Sequence, residues 1–202
     1  MKILAIGANG IIGKAVVAHL QQQLTVISVG HSKGDLTVDI EDKNSIRSMF
    51  ESVGPVDGII SMAGNGEMGS FIEMTDEGYL TVLNNKVMGQ VNLARIGVDY
   101  LNKDGRITLT SGQAANHPMP GTAAIAMGVS AINAFVATAS LEMTEGKKIN
   151  AVSPGMVKET MDLWGVDSST GIPAAEVATY YEASLKSDVN GEVLNAVGGH
   201  YE

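Results

Sequence analysis

The chain has 202 residues, 45% hydrophobic and 17% charged, a balance that suits a globular protein with a substantial core. Its 22 acidic against 13 basic residues give a formal net charge of −9, which argues against phosphate-backbone binding and predicts no nucleic-acid partner. It contains no cysteine, so disulfides, thiolate catalysis and thiolate-held zinc are excluded, and no metal site is expected.

"KILAIG" at 2–7 is an apolar run ended by glycine, the pattern of a strand buried on both faces. The run is too short for a signal-peptide core, and no later segment reads as long and apolar enough to span a bilayer, so a cytoplasmic protein without a membrane partner is expected. Helix 11–22 follows, then strands 24–30 and 36–40. Asp42 or Asn44 caps helix 45–53, and "VDGIISMAG" (56–64) is a fourth strand. Thr75 caps a long helix that runs to Leu101, before a strand at 105–111, a helix at 121–144 and a strand at 147–153. Residues 158–172 read as irregular, "PAAEVATYYEASLK" as a helix with Pro173 in its first turn, and "GEVLNAVGG" (191–199) as the closing strand. The alternation predicts an α/β protein: a single Rossmann-type doubly wound parallel sheet flanked by helices. No linker or repeat divides residues 1–202, so one domain is expected.

"GANGIIG" sets Gly7, Gly10 and Gly13 at the turn between the first strand and the first helix. Glycines here allow a tight turn and bring backbone N–H groups and a helix N-terminus to a pyrophosphate, which points to dinucleotide binding over the whole motif, Asn9 and Ile12 included. A phosphate-loop NTPase fits poorly, because Ala15 follows Gly13-Lys14 where Ser or Thr is needed. The second strand ends "VISVGHSKGD", placing His31, Ser32 and Lys33 where an NAD site carries a carboxylate; the first acid is Asp35. Ser32 and Lys33 suit a 2′-phosphate, so NADP(H) is favoured and NAD(H) stays possible; the plainer alternative is an exposed polar loop.

With these features the chain resembles the short-chain dehydrogenase/reductase superfamily over nearly its whole length. "GANGIIG" is similar to the family's glycine motif, and "VDI" to the segment whose aspartate, here Asp39, contacts the adenine. "SMAG" keeps Ala63 and Gly64 of the family's Asn-Asn-Ala-Gly, and "INAVSPGMV" supplies Pro154 and Gly155 for the nicotinamide side, with Thr160 near its carboxamide. Active relatives use a tyrosine as proton donor, a lysine four residues later and a serine that orients the carbonyl. Ser111 fits the serine. Ungapped counting puts Ala124 and Gly128 at the other two positions, and anchoring on "SAINAF" puts Ile125 and Val129 there. No tyrosine lies between Tyr100 and Tyr180, and no lysine between Lys103 and Lys147. Where the family has an asparagine three residues before a glycine, Lys86 precedes Gly89. The resemblance is thus to a divergent branch without the catalytic Tyr-x-x-x-Lys.

Lys86, flanked by Asn84 and Asn85, reads first as a solvated helix lysine and second as a cation replacing the missing lysine beside an oxyanion. His117, the other acid–base candidate near Ser111, reads as a structural or exposed loop residue, and Tyr180 and Tyr181 as packed or exposed on the last helix. The small residues of "GTAAIAMGVSAINAF" (121–135) allow close packing on more than one face, and the resemblance implies a homodimer or homotetramer through this helix and the one before it. Met156, Met161, Leu163 and Trp164 suggest an apolar wall for a small-molecule ligand or substrate. The leading expectation is an NADP(H)-binding oxidoreductase with a non-standard active site and unknown substrate. The alternatives are a catalytically inactive NADP(H) or small-ligand sensor, or an interaction subunit that keeps the fold.

Overall fold

A computed structural model describes residues 1–198, so Gly199 of the expected last strand lies outside the described residues. In chain order the elements are β1 Lys2–Ile6, α1 Ile11–Leu20, β2 Thr25–Gly30, β3 Leu36–Thr37, α2 Lys43–Val53 and β4 Val56–Ser61. They continue with α3 Asp76–Thr81, a π-helical stretch Val82–Gly89, α4 Gln90–Gly97, β5 Leu101–Thr110 and α5 Ala123–Ala139. β6 Lys148–Pro154, α6 Lys158–Trp164, α7 Ala174–Lys186 and β7 Val193–Ala196 complete the chain. The strands form one seven-stranded sheet in the order β3-β2-β1-β4-β5-β6-β7, every pair parallel. This is the doubly wound architecture expected.

The pleat distributes each strand between two cores. Leu4, Ile6 and Ile59 pack with Ile46, Phe50, Leu93, Ile132 and Val136 on the side of α2, α4 and α5. Ile3 and Ile60 pack with Val16, Leu20, Val177 and Tyr181 on the side of α1 and α7. Buried on both faces, the strands read as continuous apolar runs, which is why the sequence marks them clearly. Tyr181 is fully buried, and its hydroxyl lies 2.7 Å from Thr110 Oγ1; burial pushes its phenol well above the usual range.

Several expectations need correction. The long helix after Thr75 is not one α-helix: an eight-residue π-helical stretch, Val82–Gly89, divides it. Strand 36–40 shortens to two residues, because Asp39 turns the chain, its carbonyl accepting from Asp42 N and its carboxylate from Glu41 N. Segment 158–172 is not irregular throughout, since α6 fills its first half. Its ends are pinned: Val157 bridges Ile172, and Glu159 accepts from Ala174 N to cap α7. A Cβ on Gly171 would stand 2.8 Å from Lys158 Cα, so glycine permits that closure.

The stretch Ala123–Glu142 spans 20 residues at a mean hydropathy of 1.7, long and apolar enough by composition to cross a membrane, contrary to expectation. Here one face of it enters the core while about two thirds of it stays outside, since 33% of the stretch is buried. Ile132 and Val136 enter the core, and Gly128 meets the π-helical stretch so closely that a Cβ would lie 2.5 Å from Val82 Cγ1.

Candidate functional site

The strand ends carrying Gly7, Gly30, Met62, Ser111 and Pro154 open at one edge of the sheet, the crevice where ligands bind in this architecture. A cleft of about 600 Å³ runs over β1, β2 and β4. It is lined by Gly7, Asn9, Gly10, His31, Asp39, Ala63 and Gly64 of the expected set. Glu41, Asn65 and Asn85 line it too, and the sequence reading assigned none of them to the site. Asn85 Nδ2 donates to Glu41 Oε1 at 2.6 Å, and Asn65 N donates to Asn85 Oδ1 at 2.7 Å, a polar chain across the cleft. The signal was "NNK", whose polarity suggested solvent and here marks a cleft wall.

The glycine turn fits a bound pyrophosphate. Gly7 has φ 85°, and a Cβ there would lie 2.6 Å from Ala63 N. A Cβ on Gly13 would stand 2.0 Å from the Gly7 carbonyl oxygen, so Gly13 does not face the ligand; it lets α1 start tight against the turn. Gly10 caps α1 without a side-chain hydrogen bond and the first turn holds no acid, which leaves N–H groups and the positive helix end for an anion.

The neighbouring loop is arranged differently from expectation. Asn9 Nδ2 donates to the Lys33 carbonyl at 2.6 Å, while Ser32 and Lys33 stand exposed at the rim outside the cleft lining. The Asp35 carboxylate turns back to accept from Ser28 N and Oγ, both at 2.8 Å, and these bonds hold its pKa below the usual carboxylate range. The first acid after β2 is therefore occupied with its own strand.

A second cavity of about 430 Å³ adjoins the cleft at Met62 and Gly64. It brings together Ile12, Lys86, Ser111, Pro154, Gly155 and Thr160 from the expected set, with His117 beside them. Of the expected apolar wall only Met156 and Trp164 line it; Met161 is buried behind, and Leu163 points outward at 76% exposure. On α5 the residues that line the cavity are Ile125 and Val129, the pair reached by anchoring on "SAINAF". Ala124 and Gly128 are buried away from it.

Ser111 is buried, its N bonded to the Val152 carbonyl at 2.8 Å and its Oγ donating to the Val129 carbonyl at 3.2 Å. Lys86 is not the solvated lysine its neighbours suggest. Its stem packs on Gly64, where a Cβ would be 3.1 Å from Lys86 Cα, and the half-buried residue lines the cavity. Burial of the ammonium pushes its pKa down to about 8, and among the described residues it has no hydrogen-bond or ion-pair partner.

One residue missed by the sequence reading holds these two together. The amide of Gln90, fully buried, accepts from Thr110 N at 2.8 Å and donates to the Thr110 carbonyl at 2.9 Å and to the Lys86 carbonyl at 3.2 Å. It ties the π-helical stretch, which would otherwise leave carbonyls unmatched, to the strand end that presents Ser111.

Comparison with known proteins agrees with this geometry. The family model described as Enoyl-(Acyl carrier protein) reductase matches residues 5–192. Hydroxynaphthalene reductase arp2 of Aspergillus fumigatus is 28% identical over 162 residues, which cover 76% of this chain and 59% of that protein; the chain thus spans only part of this relative's length. The solved structure of the protein lin1944 from Listeria innocua superposes with a TM-score of 0.92 at 39% identity, covering 96% of this chain and 98% of that one. A small-chain dehydrogenase in complex with NADPH has the same fold, with a TM-score of 0.88 at 24% identity over 98% of this chain and 97% of that one.

Proposed function

Because the chain belongs to the short-chain dehydrogenase/reductase superfamily, we propose that it binds NADP(H) along the cleft and acts as an oxidoreductase on a small carbonyl compound in the adjoining cavity. The observation that carries this reading is the continuity of the two spaces through Met62 and Gly64, with Pro154, Gly155 and Thr160 on the far wall. Gly7, Asn9, Gly10 and the start of α1 hold the pyrophosphate, and Asp39 with its neighbours holds the adenosine end. NADP(H) is favoured over NAD(H) because Asp35 is occupied with Ser28, which leaves Ser32 and Lys33 at the rim for a 2′-phosphate. The bound dinucleotide supplies the hydride equivalent of the reaction.

Ser111 Oγ turns from the Val129 carbonyl to donate to the substrate carbonyl oxygen, and the Lys86 ammonium stabilises negative charge developing there. With a pKa near 8 the ammonium is also a competent proton donor at neutral pH, in a cavity where Ile125 and Val129 offer none. The apolar walls from Met156, Trp164 and α5 limit water. The lack of a proton donor on the two α5 residues that line the cavity, Ile125 and Val129, favours a second reading, a sensor that binds NADP(H) and a small ligand without turnover. We also read the protein as cytoplasmic and homo-oligomeric. Ala123, Met127, Ser130, Ala134 and Ala137 form one exposed stripe of mostly small residues along α5, continued by Leu141, a face suited to a second copy.

The test is a titration of NADPH and NADH against the fluorescence of Trp164, repeated by calorimetry, followed by a carbonyl panel. Saturable binding, tighter for NADPH, with turnover lost in Ser111→Ala supports the oxidoreductase. Binding without turnover leaves the sensor, and no binding of either dinucleotide removes both readings.

A further inference from the structure

Within the oxidoreductase reading, on which this inference rests, we propose that the substrate is a small oxo acid whose carboxylate seats on the Lys86 ammonium. The chain carries 22 acidic residues, yet among the described residues that line the cavity none is Asp or Glu; the titratable side chains there are Lys86 and His117. A cation in such a setting is costly unless something supplies the opposite charge.

Other sheltered lysines in this protein have their partners. Lys147, with a side chain 11% exposed, lies 2.9 Å from Glu145 and donates to the Val98 carbonyl. Lys148, 19% exposed, pairs with Asp188 at 3.0 Å, and Lys2 donates to the Val53 carbonyl at 2.6 Å. Lys86 departs from this pattern while being firmly placed. Its stem lies on Gly64, and its carbonyl is held by Gln90, so the ammonium is not a surface group caught in passing.

The neutral groups around it narrow the ligand further. Thr122 Oγ1 is spent on the Met119 carbonyl, and the Gln113 amide on Ser153 and Asn195. Ser111 Oγ turns from the Val129 carbonyl, 3.2 Å away, to meet a ligand, whereas the Lys86 ammonium already stands in the lining without a carboxylate beside it. An ammonium has three N–H donors. A carboxylate and a carbonyl on neighbouring carbons present two oxygens to it at once, while Ser111 reaches the carbonyl oxygen from the other side. Met68, Ile125, Met156 and Trp164 then accept a short apolar tail. In the reduction the carbonyl carbon gains a hydride from the dinucleotide, which leaves oxidised, and its oxygen takes a proton from the Lys86 ammonium, which recovers one from solvent. The carboxylate is unchanged, and the oxo acid becomes a hydroxy acid.

The test is calorimetric titration of the NADPH-loaded protein with oxamate, a non-reducible analogue of a 2-oxo carboxylate, and with oxamide, its uncharged counterpart. Oxamate is expected to bind at least about tenfold more tightly, the scale of a hydrogen bond to a charged group. Lys86→Met, checked for folding by circular dichroism, removes that preference, and Lys86→Arg keeps part of it. Equal affinities in the wild type, no binding of either probe, or an unchanged preference in Lys86→Met each overturn the proposal. A Lys86→Met protein that loses NADPH affinity but keeps the preference also overturns it, assigning the lysine to the dinucleotide phosphates. If the wild type saturates with NADPH and still fails to discriminate, only the substrate class is wrong; if NADPH does not bind, the oxidoreductase reading fails with it.

Discussion

Replacing Lys86 by methionine should stabilise the free protein while damaging its function. Methionine fills similar volume along Gly64 without a charge to bury. The shift of the lysine from its ordinary value of 10.5 to about 8 corresponds to about 3 kcal/mol against the charged form. Discounting for its access to the cavity leaves about 2 kcal/mol. For a chain of this size that raises Tm by about 4–8 °C. The sign follows from proton binding: between about pH 8 and 10.5 the unfolded lysine holds more proton than the native one, so wild-type stability gains on this account as pH rises. The penalty is complete below pH 8 and fades towards 10.5. Urea unfolding of both proteins at pH 7 and pH 10 isolates it, because the other titrating groups cancel in the difference. Any gain from packing is constant with pH, whereas the ammonium's share shrinks. A gap that does not narrow between the two pH values, or a less stable variant, refutes the claim that Lys86 is an unmatched buried cation.

Gly13→Ala would force a Cβ to 2.0 Å from the Gly7 carbonyl oxygen, so we expect a loss of about 2 kcal/mol or more by urea unfolding and weakened dinucleotide binding by calorimetry. Gln90→Leu strips the partner from Thr110 N and two carbonyls and should cost about 2–4 kcal/mol in the same assay. Ser111→Ala should leave NADPH binding intact and lower kcat by about 10²-fold on any carbonyl the wild type reduces, as loss of one oxyanion donor does.

How much could be read beforehand depended on how local the cause was. β1, β4 and β6 were plain because strands buried on both faces need apolar residues at every position, and the glycine turn because steric demands fix Gly7 and Gly13 in the sequence itself. The π-helical stretch was not legible: one extra residue per turn leaves the spacing of Val82, Val87 and Gly89 unremarkable. α6 was missed because Val157 offers no capping side chain and the helix has seven residues. Lys86 misled for a different reason. Its polar neighbours in the chain line the cleft, while the groups that bury it, Gly64 and the end of β5, come from distant segments. Which of Ala124, Ile125, Gly128 and Val129 line the cavity likewise depends on the rotation of α5, which counting along the chain does not give.

The pinned base of residues 157–174 bears on how the cavity wall is held. With Val157 bridged to Ile172 and Glu159 bound to Ala174, the segment is an arch whose feet are fixed and whose crown carries Trp164. The indole reaches the cavity lining from the end of α6, between these two anchored points. The chain entropy of this arch is lost once, when the protein folds, and is not charged again to each binding event.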